Sequence, residues 1–325
     1  MCNPEVMKRK MIEYTDKIQT LSKTLLAEGR VDAVIGYKKG SIPGTNEPCI
    51  IKSPDDAAKL VWDSNCRLNL ASYVTGLKSK TGIVAKGCDA RNLVTHITEN
   101  RVERDQLVII GVPCTGMTDK TVIAEIAGGE IVDVTESGGQ ITIVSPESEK
   151  TIDKADILQN NCLTCTRRNP VIYDELAAAM VDEQTVAGKY SEIEKIDAMI
   201  PEEKWGFFED LFSTCTRCYA CRNACPLCYC PTCFVDESGP QWVGKGDDPI
   251  DIRTYQTLRA FHCAGRCTDC GACEAACPMN IRVRLFTGKM NKVCEEKYGH
   301  EAGISLDMRP ALDTFSLDDP EAFIK

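Results

Sequence analysis

Short apolar runs alternate with helical periodicity over the first half of the chain. Apolar residues recur at helical spacing over 4–29, which predicts a first helix that ends at Gly29. Apolar runs predict strands over 31–37, 49–51, 82–85 and 107–111. Strands that alternate with helices favour an α/β fold with a mostly parallel sheet.

The pattern changes after this region. Ile131–Thr135 and Gln140–Ser145, joined by a Gly-Gly turn, predict a β-hairpin. From Tyr173 to Phe212 the sequence becomes helical and rich in Glu, Ala and Lys, with Pro201 as a break. The end of the chain, with Pro310 and Pro320, is acidic and is predicted to be a tail.

Composition excludes several classes of protein. The chain has 325 residues, 43% of them hydrophobic and 26% charged, as in ordinary soluble domains. No apolar run approaches the 18 or so residues of a membrane span, and no secretory signal opens the chain, so we expect a cytoplasmic protein. A net charge of −10 disfavours nucleic-acid binding.

Cysteine is the outlier, with 20 residues, twelve of which fall between Cys215 and Cys277. A disulfide framework is one explanation for so many. A long chain without a secretory signal is expected in a reducing compartment, where thiols stay free and bind metals. We therefore expect most of the cysteines to be metal ligands.

Two cysteine runs repeat the spacing of bacterial two-cluster ferredoxins, in which the fourth cysteine of each run binds the other cluster. They are Cys215-x2-Cys218-x2-Cys221-x3-Cys225-Pro and Cys267-x2-Cys270-x2-Cys273-x3-Cys277-Pro. By that exchange, set 1 comprises Cys215, Cys218, Cys221 and Cys277, and set 2 comprises Cys225, Cys267, Cys270 and Cys273. Each set is predicted to hold one 4Fe–4S cluster. Paired zinc sites are the alternative, although zinc prefers two Cys-x2-Cys pairs.

Four further cysteines lie between or beside these runs: Cys228, Cys230, Cys233 and Cys263. Four thiolates are enough for another cluster. The alternative is that some are buried thiols packed near the clusters. Both hypotheses stay open at this point.

Another group of cysteines belongs to the α/β region. Cys88 follows one predicted strand and Cys114 follows the next, so both stand at carboxyl ends of strands, where open α/β sheets bind ligands. Cys162-x2-Cys165 comes after the hairpin. These four, the amino-terminal set, could hold a third 4Fe–4S cluster, with structural zinc or unrelated buried thiols as alternatives.

These patterns predict four regions. They are an α/β domain over 1–170, a helical linker over 171–213, an α+β two-cluster ferredoxin-like domain over 214–290 and an acidic tail over 291–325. Cys2, Cys49, Cys66 and Cys294 match no ligand spacing and are predicted to be ordinary core or surface residues.

The chain resembles the beta subunits of coenzyme F420-dependent hydrogenases and formate dehydrogenases. The resemblance rests on the runs Ile83–Ala90, Gly111–Cys114 and Cys162–Cys165. It implies a 4Fe–4S cluster at the amino-terminal set, beside a flavin. Chains that join such a domain to a ferredoxin module look like those of anaerobes, encoded with heterodisulfide-reductase-like or formate dehydrogenase subunits.

One stretch departs from that family. Members that bind FAD carry a Ser-Gly-Gly stretch near the amino terminus, whereas Leu21–Leu26 here contains no glycine. Glycine lets the backbone approach a cofactor phosphate closely. This departure argues against bound FAD.

We expect an iron–sulfur electron-transfer subunit of an anaerobic oxidoreductase complex. It would relay electrons between a flavin, hydrogenase or formate dehydrogenase partner and a heterodisulfide-reductase-like subunit. His96, His262 and His300 form no acid–base pattern, and no nucleophile–base pair is visible, so no catalytic residue is predicted. The alternative is an FAD-containing subunit that exchanges hydride with F420 or NAD(P)H.

Overall fold

The computed structural model describes residues 4–309 and 311, with side chains from residue 13 onward. The strands are β1 (Ala33–Lys39), β2 (Asn46–Ile51), β3 (Thr81–Lys86), β4 (Leu107–Val112), β5 (Asp133–Ser137), β6 (Gln140–Val144), β7 (Glu149–Asp153) and β8 (Glu175–Leu176). The helices are α1 (Pro4–Ala27), α2 (Gly87–Thr98), α3 (Lys120–Ala127), α4 (Asn160–Leu163), α5 (Ser191–Asp197), α6 (Pro201–Phe212), α7 (Ala220–Asn223), α8 (Pro249–His262), α9 (Ala272–Ala275) and α10 (Arg284–Tyr298). Short 3-10 helices cover Pro54–Lys59, Leu70–Tyr73, Arg104–Gln106 and Lys154–Ile157.

The main sheet has five strands in the order β2-β1-β3-β4-β8. Strands β1, β3, β4 and β8 run parallel, and β2 pairs antiparallel with β1. Every residue of β3 and β4 is buried, as expected for strands covered on both faces. The predicted α/β class is confirmed, in the form of a mixed sheet.

The core of this region forms where α1 and the sheet bury their apolar residues together. Ile18 and Leu25 on α1 are 1% exposed, and Ile83 and Ile109 on the central strands are fully buried. Burial of such side chains stabilises the fold by roughly 1.5–3 kcal/mol each. The carboxyl edge of this sheet carries the turns that hold Cys88 and Cys114.

The predicted hairpin is present as β5 and β6, but a third strand, β7, extends it into a separate antiparallel sheet. Strand β7 is mostly exposed and reads Glu-Lys-Thr-Ile-Asp. Its single apolar residue, Ile152, gives no alternating pattern that would predict a strand. Backbone pairing with β6 holds it in the sheet.

The segment predicted as a helical linker is helical only over α5 and α6. Its first part instead contains β8, which extends the main sheet beside β4. The carboxylate of Asp174 accepts a hydrogen bond from the Ile109 amide at 2.7 Å and ties this segment to the sheet. Pro201 is the first residue of α6 rather than a break, because a helix start needs no amide donor there.

Helices and loops make up the rest of the described chain. Between residue 177 and the end of the described part there is no strand, so the α+β class predicted for the ferredoxin-like region is not confirmed. Of the predicted acidic tail, 291–298 belongs to α10, and 310 and 312–325 lie outside the described residues. No helix in the described part of the chain is both long and apolar enough to cross a membrane.

Candidate iron–sulfur sites

The amino-terminal set lies at the carboxyl ends of neighbouring parallel strands. Cys88 is in the first turn of α2, directly after β3, and Cys114 follows β4. Strands β3 and β4 pair along their whole length, so both cysteines emerge at the same sheet edge. Cys162 in α4 and Cys165 beyond it complete the group. All four line one cleft of about 910 Å³, part of it open to solvent.

Backbone amides point at two of these sulfurs. The Gly116 amide donates to Cys114 Sγ at 3.4 Å, and the Met117 amide donates to Cys162 Sγ at 3.3 Å. Burial raises the pKa of Cys88 well above its ordinary value and that of Cys162 to about 12. A bound metal would offset that penalty and release the protons. Thiolates with amide donors fit an iron–sulfur cluster, whose sulfur ligation needs both.

A buried ion pair fixes the start of α2. Lys86 Nζ lies 3.0 Å from Asp89 Oδ2, and their side chains are 3% and 0% exposed. Lys86 also donates to the Leu68 carbonyl at 2.6 Å, and Asp89 accepts from the Leu70 amide at 3.0 Å. Each charge is thus paired and hydrogen-bonded, as burial requires. The ion pair and its backbone hydrogen bonds therefore fix the turn that carries Cys88.

The two ferredoxin-like motifs adopt the same backbone conformation. The second and fourth residues after the first cysteine have positive φ angles in both: Arg217 (52°) and Tyr219 (62°), and Asp269 (58°) and Gly271 (73°). A four-residue helix follows in each motif, α7 or α9. Non-glycine residues seldom adopt this conformation. Successive left-handed turns orient backbone amides into a concave anion-binding nest, which suits a cluster of negative net charge.

Set 1 surrounds a small pocket. Cys215, Cys218 and Cys221 of the first motif line it together with Cys277 of the second. The Ile281 amide donates to Cys277 Sγ at 3.4 Å. Cys218 is exposed, whereas Cys221 and Cys277 are buried. The fourth cysteine of the second motif therefore lies with the first three of the other.

Set 2 is joined by the reciprocal exchange. Burial raises the pKa of Cys267, Cys270 and Cys273, and the nearby charge of Cys225 raises each of them further. Cys270 also interacts electrostatically with Cys88. Cys267 and Cys270 line the same cleft as the amino-terminal set. Set 2 therefore lies beside the amino-terminal set.

The four further cysteines do not behave as one group. Cys228 and Cys263 contact each other and Cys225, and hydrogen bonds from Cys225 and Cys263 lower the pKa of Cys228 well below its usual range. Cys233 interacts instead with Arg222. Cys230 is exposed. The structure thus brings two of them to set 2 and leaves the other two apart.

Within the described residues, no three Cys, His, Asp or Glu side chains converge closely enough to bind a single metal ion.

The cysteines without ligand spacing lie elsewhere, with one exception. Cys49 is in β2, and Cys66 is fully buried in the main core. Cys294 of α10, predicted to be an ordinary residue, lines the cleft of the amino-terminal set. Cys2 lies outside the described residues.

Helix α2 also docks onto the ferredoxin-like region, through side chains that the sequence patterns did not single out as functional. The contacts are Arg91 with Ala302 and Thr268, Asn92 with Thr268, His96 with Pro226, and Glu99 with Arg266 and Tyr229. These are polar residues on a buried helix face. Asn92, His96 and Glu99 recur at helical spacing along one side of α2 and its carboxyl end, and this polar stripe is the signal that could have found the interface.

No family model matches the chain. It is 23% identical to the F420-dependent formate dehydrogenase subunit beta of Methanocaldococcus jannaschii, over 90% of this chain and 93% of that protein. It is 25% identical to the F420-dependent formate dehydrogenase 1 subunit beta of Methanococcus maripaludis, over 91% and 92%. A solved structure of the F420-reducing [NiFe] hydrogenase complex from Methanosarcina barkeri, a xenon derivative, aligns with a TM-score of 0.36 and 15% identity. That alignment covers 48% of this chain and 62% of that one.

The two curated relatives match along nearly their whole length, so the likeness is not confined to the cysteine motifs. The predicted resemblance is confirmed: the chain is a homologue of the beta subunits of F420-dependent formate dehydrogenases.

Proposed function

We propose that the chain is an iron–sulfur electron-transfer subunit of an oxidoreductase complex, with 4Fe–4S clusters at the amino-terminal set, set 2 and set 1. Its relatives are subunits of F420-dependent formate dehydrogenases. Its own partners would be a flavin, hydrogenase or formate dehydrogenase subunit on one side and a heterodisulfide-reductase-like subunit on the other.

The observation that carries this proposal is the adjacency of the three sets. Cys270 of set 2 interacts with Cys88 of the amino-terminal set, and Cys267 and Cys270 line the cleft of that set. Set 1 takes Cys277 from the second motif, and set 2 takes Cys225 from the first. The two sets are therefore neighbours. Such a series gives electrons short steps from the sheet edge to the exposed Cys218.

The chain's own residues would perform four tasks. Thiolates of the three sets bind iron, and amides of Gly116, Met117 and Ile281 stabilise the sulfur charge. The nests of both motifs favour negative charge. Most of the cysteines are buried or half-buried, which limits the access of water. The clusters, when bound, would supply one-electron chemistry at potentials that these features adjust.

Anaerobic purification with iron, sulfide, zinc and flavin analysis tests the proposal. We expect about twelve irons and as many sulfides per chain, four for each cluster. A preparation without acid-labile sulfide would contradict it. About sixteen irons would instead indicate a fourth cluster, with ligands from outside the three sets.

Variants test the ligand assignment. Cys218→Ser should remove the cluster of set 1, about four irons, and leave the electron paramagnetic resonance (EPR) signals of the others. Cys49→Ser, in strand β2 and outside every set, is the matched control and should keep all the iron. Unchanged iron and EPR in the Cys218 variant would refute the assignment.

The alternative function, hydride exchange through bound FAD, is favoured by one observation. The cleft of the amino-terminal set is lined by cations that include Arg167, Arg168 and Lys189. Carboxylates already pair two of them, Glu301 with Arg167 and Glu295 with Lys189. Stoichiometric FAD in the anaerobic preparation would decide for this alternative.

A further inference from the structure

Arg259 is a cation inside the ferredoxin-like region. It lies on α8 in line with Ile252 and Tyr255, at the spacing of a buried helical stripe, and is 4% exposed. Arginine is almost never buried this deeply unless it is paired. The buried guanidinium of Arg259 therefore requires a negatively charged partner.

Arg259 has no carboxylate partner in the part of the chain that the structure describes. Its Nη2 donates to the Cys221 carbonyl at 3.1 Å, but its Nε is buried and makes no hydrogen bond. Its guanidinium also hydrogen-bonds to the side chain of Cys228 and interacts electrostatically with Cys225, Cys273 and Cys263. The guanidinium is thus surrounded by cysteines of both sets and by the neighbouring Cys228 and Cys263.

Arg284, in the same region, is an arginine whose charge is neutralised by carboxylates. Its guanidinium makes two hydrogen bonds of 2.7 Å to the carboxylate of Asp269, and Glu274 lies 3.6 Å away. Both side chains of the Asp269 pair are largely buried. Arg284 is thus balanced by carboxylates, whereas Arg259 has no carboxylate partner within the described residues.

We propose that Arg259 is a positioning residue whose charge is shared by the clusters of set 1 and set 2. This inference rests on the proposed function. The cluster pair would supply most of the negative charge that balances the guanidinium, since cubanes with four thiolates carry net negative charge, and the Cys228 side chain adds a hydrogen bond. It lies between Cys221 of set 1 and the cysteines Cys225 and Cys273 of set 2.

A fixed buried cation favours whichever state carries more negative charge. Reduction adds an electron to a cluster, so the charge of Arg259 stabilises the reduced form of each neighbour. The interaction is strong because the site is shielded from water. Arg259 therefore raises the reduction potentials of both clusters.

The test is a potentiometric titration of the full-length protein, followed by EPR. Arg259→Gln keeps much of the side-chain shape and removes the charge. We expect both ferredoxin-type potentials to become more negative, each with at least a tenfold change in its redox equilibrium, or about 59 mV for one electron. The potential of the amino-terminal cluster should move less.

Two further variants keep the outcome decisive. Arg259→Lys retains the charge and should restore most of both potentials. Arg253→Gln, on the same helix and paired at the surface with Glu209, should change neither. If Arg259→Gln loses iron, rescue of iron content by Arg259→Lys still supports a role for charge, whereas equal loss in both variants overturns it.

Different results would contradict the role of Arg259 and the proposed function. Full iron content with unchanged potentials in Arg259→Gln would overturn the role of Arg259 and leave the clusters in place. A wild-type protein without iron and sulfide would overturn the function itself.

Discussion

The pair of Lys86 and Asp89 shows how single residues hold a ligand in place. Both side chains are buried beneath the turn that carries Cys88, and each is satisfied by its partner and by backbone groups. A buried pair contributes little net stability compared with apolar residues, but removal of one partner leaves an uncompensated charge. The pair therefore makes the geometry of this turn sensitive to a single change.

Lys86→Met should lower the free energy of unfolding by about 3–5 kcal/mol, because it leaves the Asp89 carboxylate buried without its cation. Urea unfolding under anaerobic conditions measures this. The double variant Lys86→Met/Asp89→Leu should recover most of the loss. A double variant less stable than the single one would contradict this explanation.

Gly87 is a second sensitive position at the same turn. A Cβ atom there would overlap the backbone carbonyl oxygen of Arg167. Gly87→Ala should therefore cost about 1–3 kcal/mol of unfolding free energy through overpacking and reduce the iron bound at the amino-terminal set. Iron analysis and urea unfolding check both effects.

The matched control for this variant is Gly206→Ala. Gly206 lies in α6 with open space around its Cα. Alanine there should stabilise the protein by roughly 0.5–1 kcal/mol, because glycine is costly within a helix. Equal destabilisation by both substitutions would show that the close approach at Gly87 is not the cause.

Among the elements, α2 links the main sheet to the ferredoxin-like region. Its first turn carries Cys88, one face packs on the sheet, and its last turn meets the ferredoxin-like region. Just beyond its end, the Glu99 carboxylate accepts hydrogen bonds from the Tyr229 hydroxyl at 2.5 Å and from Arg266 at 2.8 Å. This helix therefore couples the position of one cysteine set to that of another.

The Glu99 contact predicts a pH dependence. Burial raises the pKa of Glu99, but hydrogen bonds from Arg266 and Tyr229 outweigh burial and lower it below the ordinary value of 4.5. A folded pKa below the unfolded one means that the contribution is complete above about pH 4.5 and is lost as the pH falls through the folded value. Acid should therefore loosen this docking contact.

Glu99→Gln should be less stable than wild type by about 1.5–3 kcal/mol at pH 7, the range for hydrogen bonds to charged groups. The difference should persist down to pH 5 and shrink below pH 4.5, as measured by urea unfolding across that range. Glu125→Gln, at an exposed position of α3, should have little effect. Equal stability of Glu99→Gln and wild type already at pH 6 would contradict this explanation of the Glu99 contact.

The sequence predicts well those elements whose own residues show a clear hydrophobic pattern. The apolar runs of β3 and β4, each followed directly by a cysteine-bearing turn, are enough to place Cys88 and Cys114 at one sheet edge. Strand β7 and strand β8 were missed, because backbone pairing and the contact of Asp174 hold them rather than an apolar pattern. Arg259 was missed because its partners are far away in sequence.

At the scale of the whole molecule, the cysteine sets follow one another. Set 2 has the amino-terminal set on one side and set 1 on the other, through Cys88 near Cys270 and through the exchanged cysteines. This order has a magnetic consequence, because the dipolar interaction between two reduced clusters falls with the cube of their separation. Neighbours in the series should couple, and the outer two should not.

Loss of the middle cluster should therefore separate the spectra of the other two. In fully reduced Cys270→Ser protein, low-temperature EPR should show two independent signals, whereas Cys218→Ser should keep a coupled pair. Cys49→Ser should retain the wild-type spectrum. Coupled signals in the Cys270 variant would place the clusters in another order.

The exposure of Cys218 bears on how the protein withstands air. Set 1 presents this one sulfur to solvent while Cys221 and Cys277 are buried, so dioxygen can approach the cubane most readily from that corner. The iron held there is the one we expect to be lost first. Oxidative damage would thus begin at the solvent end of the proposed cluster series.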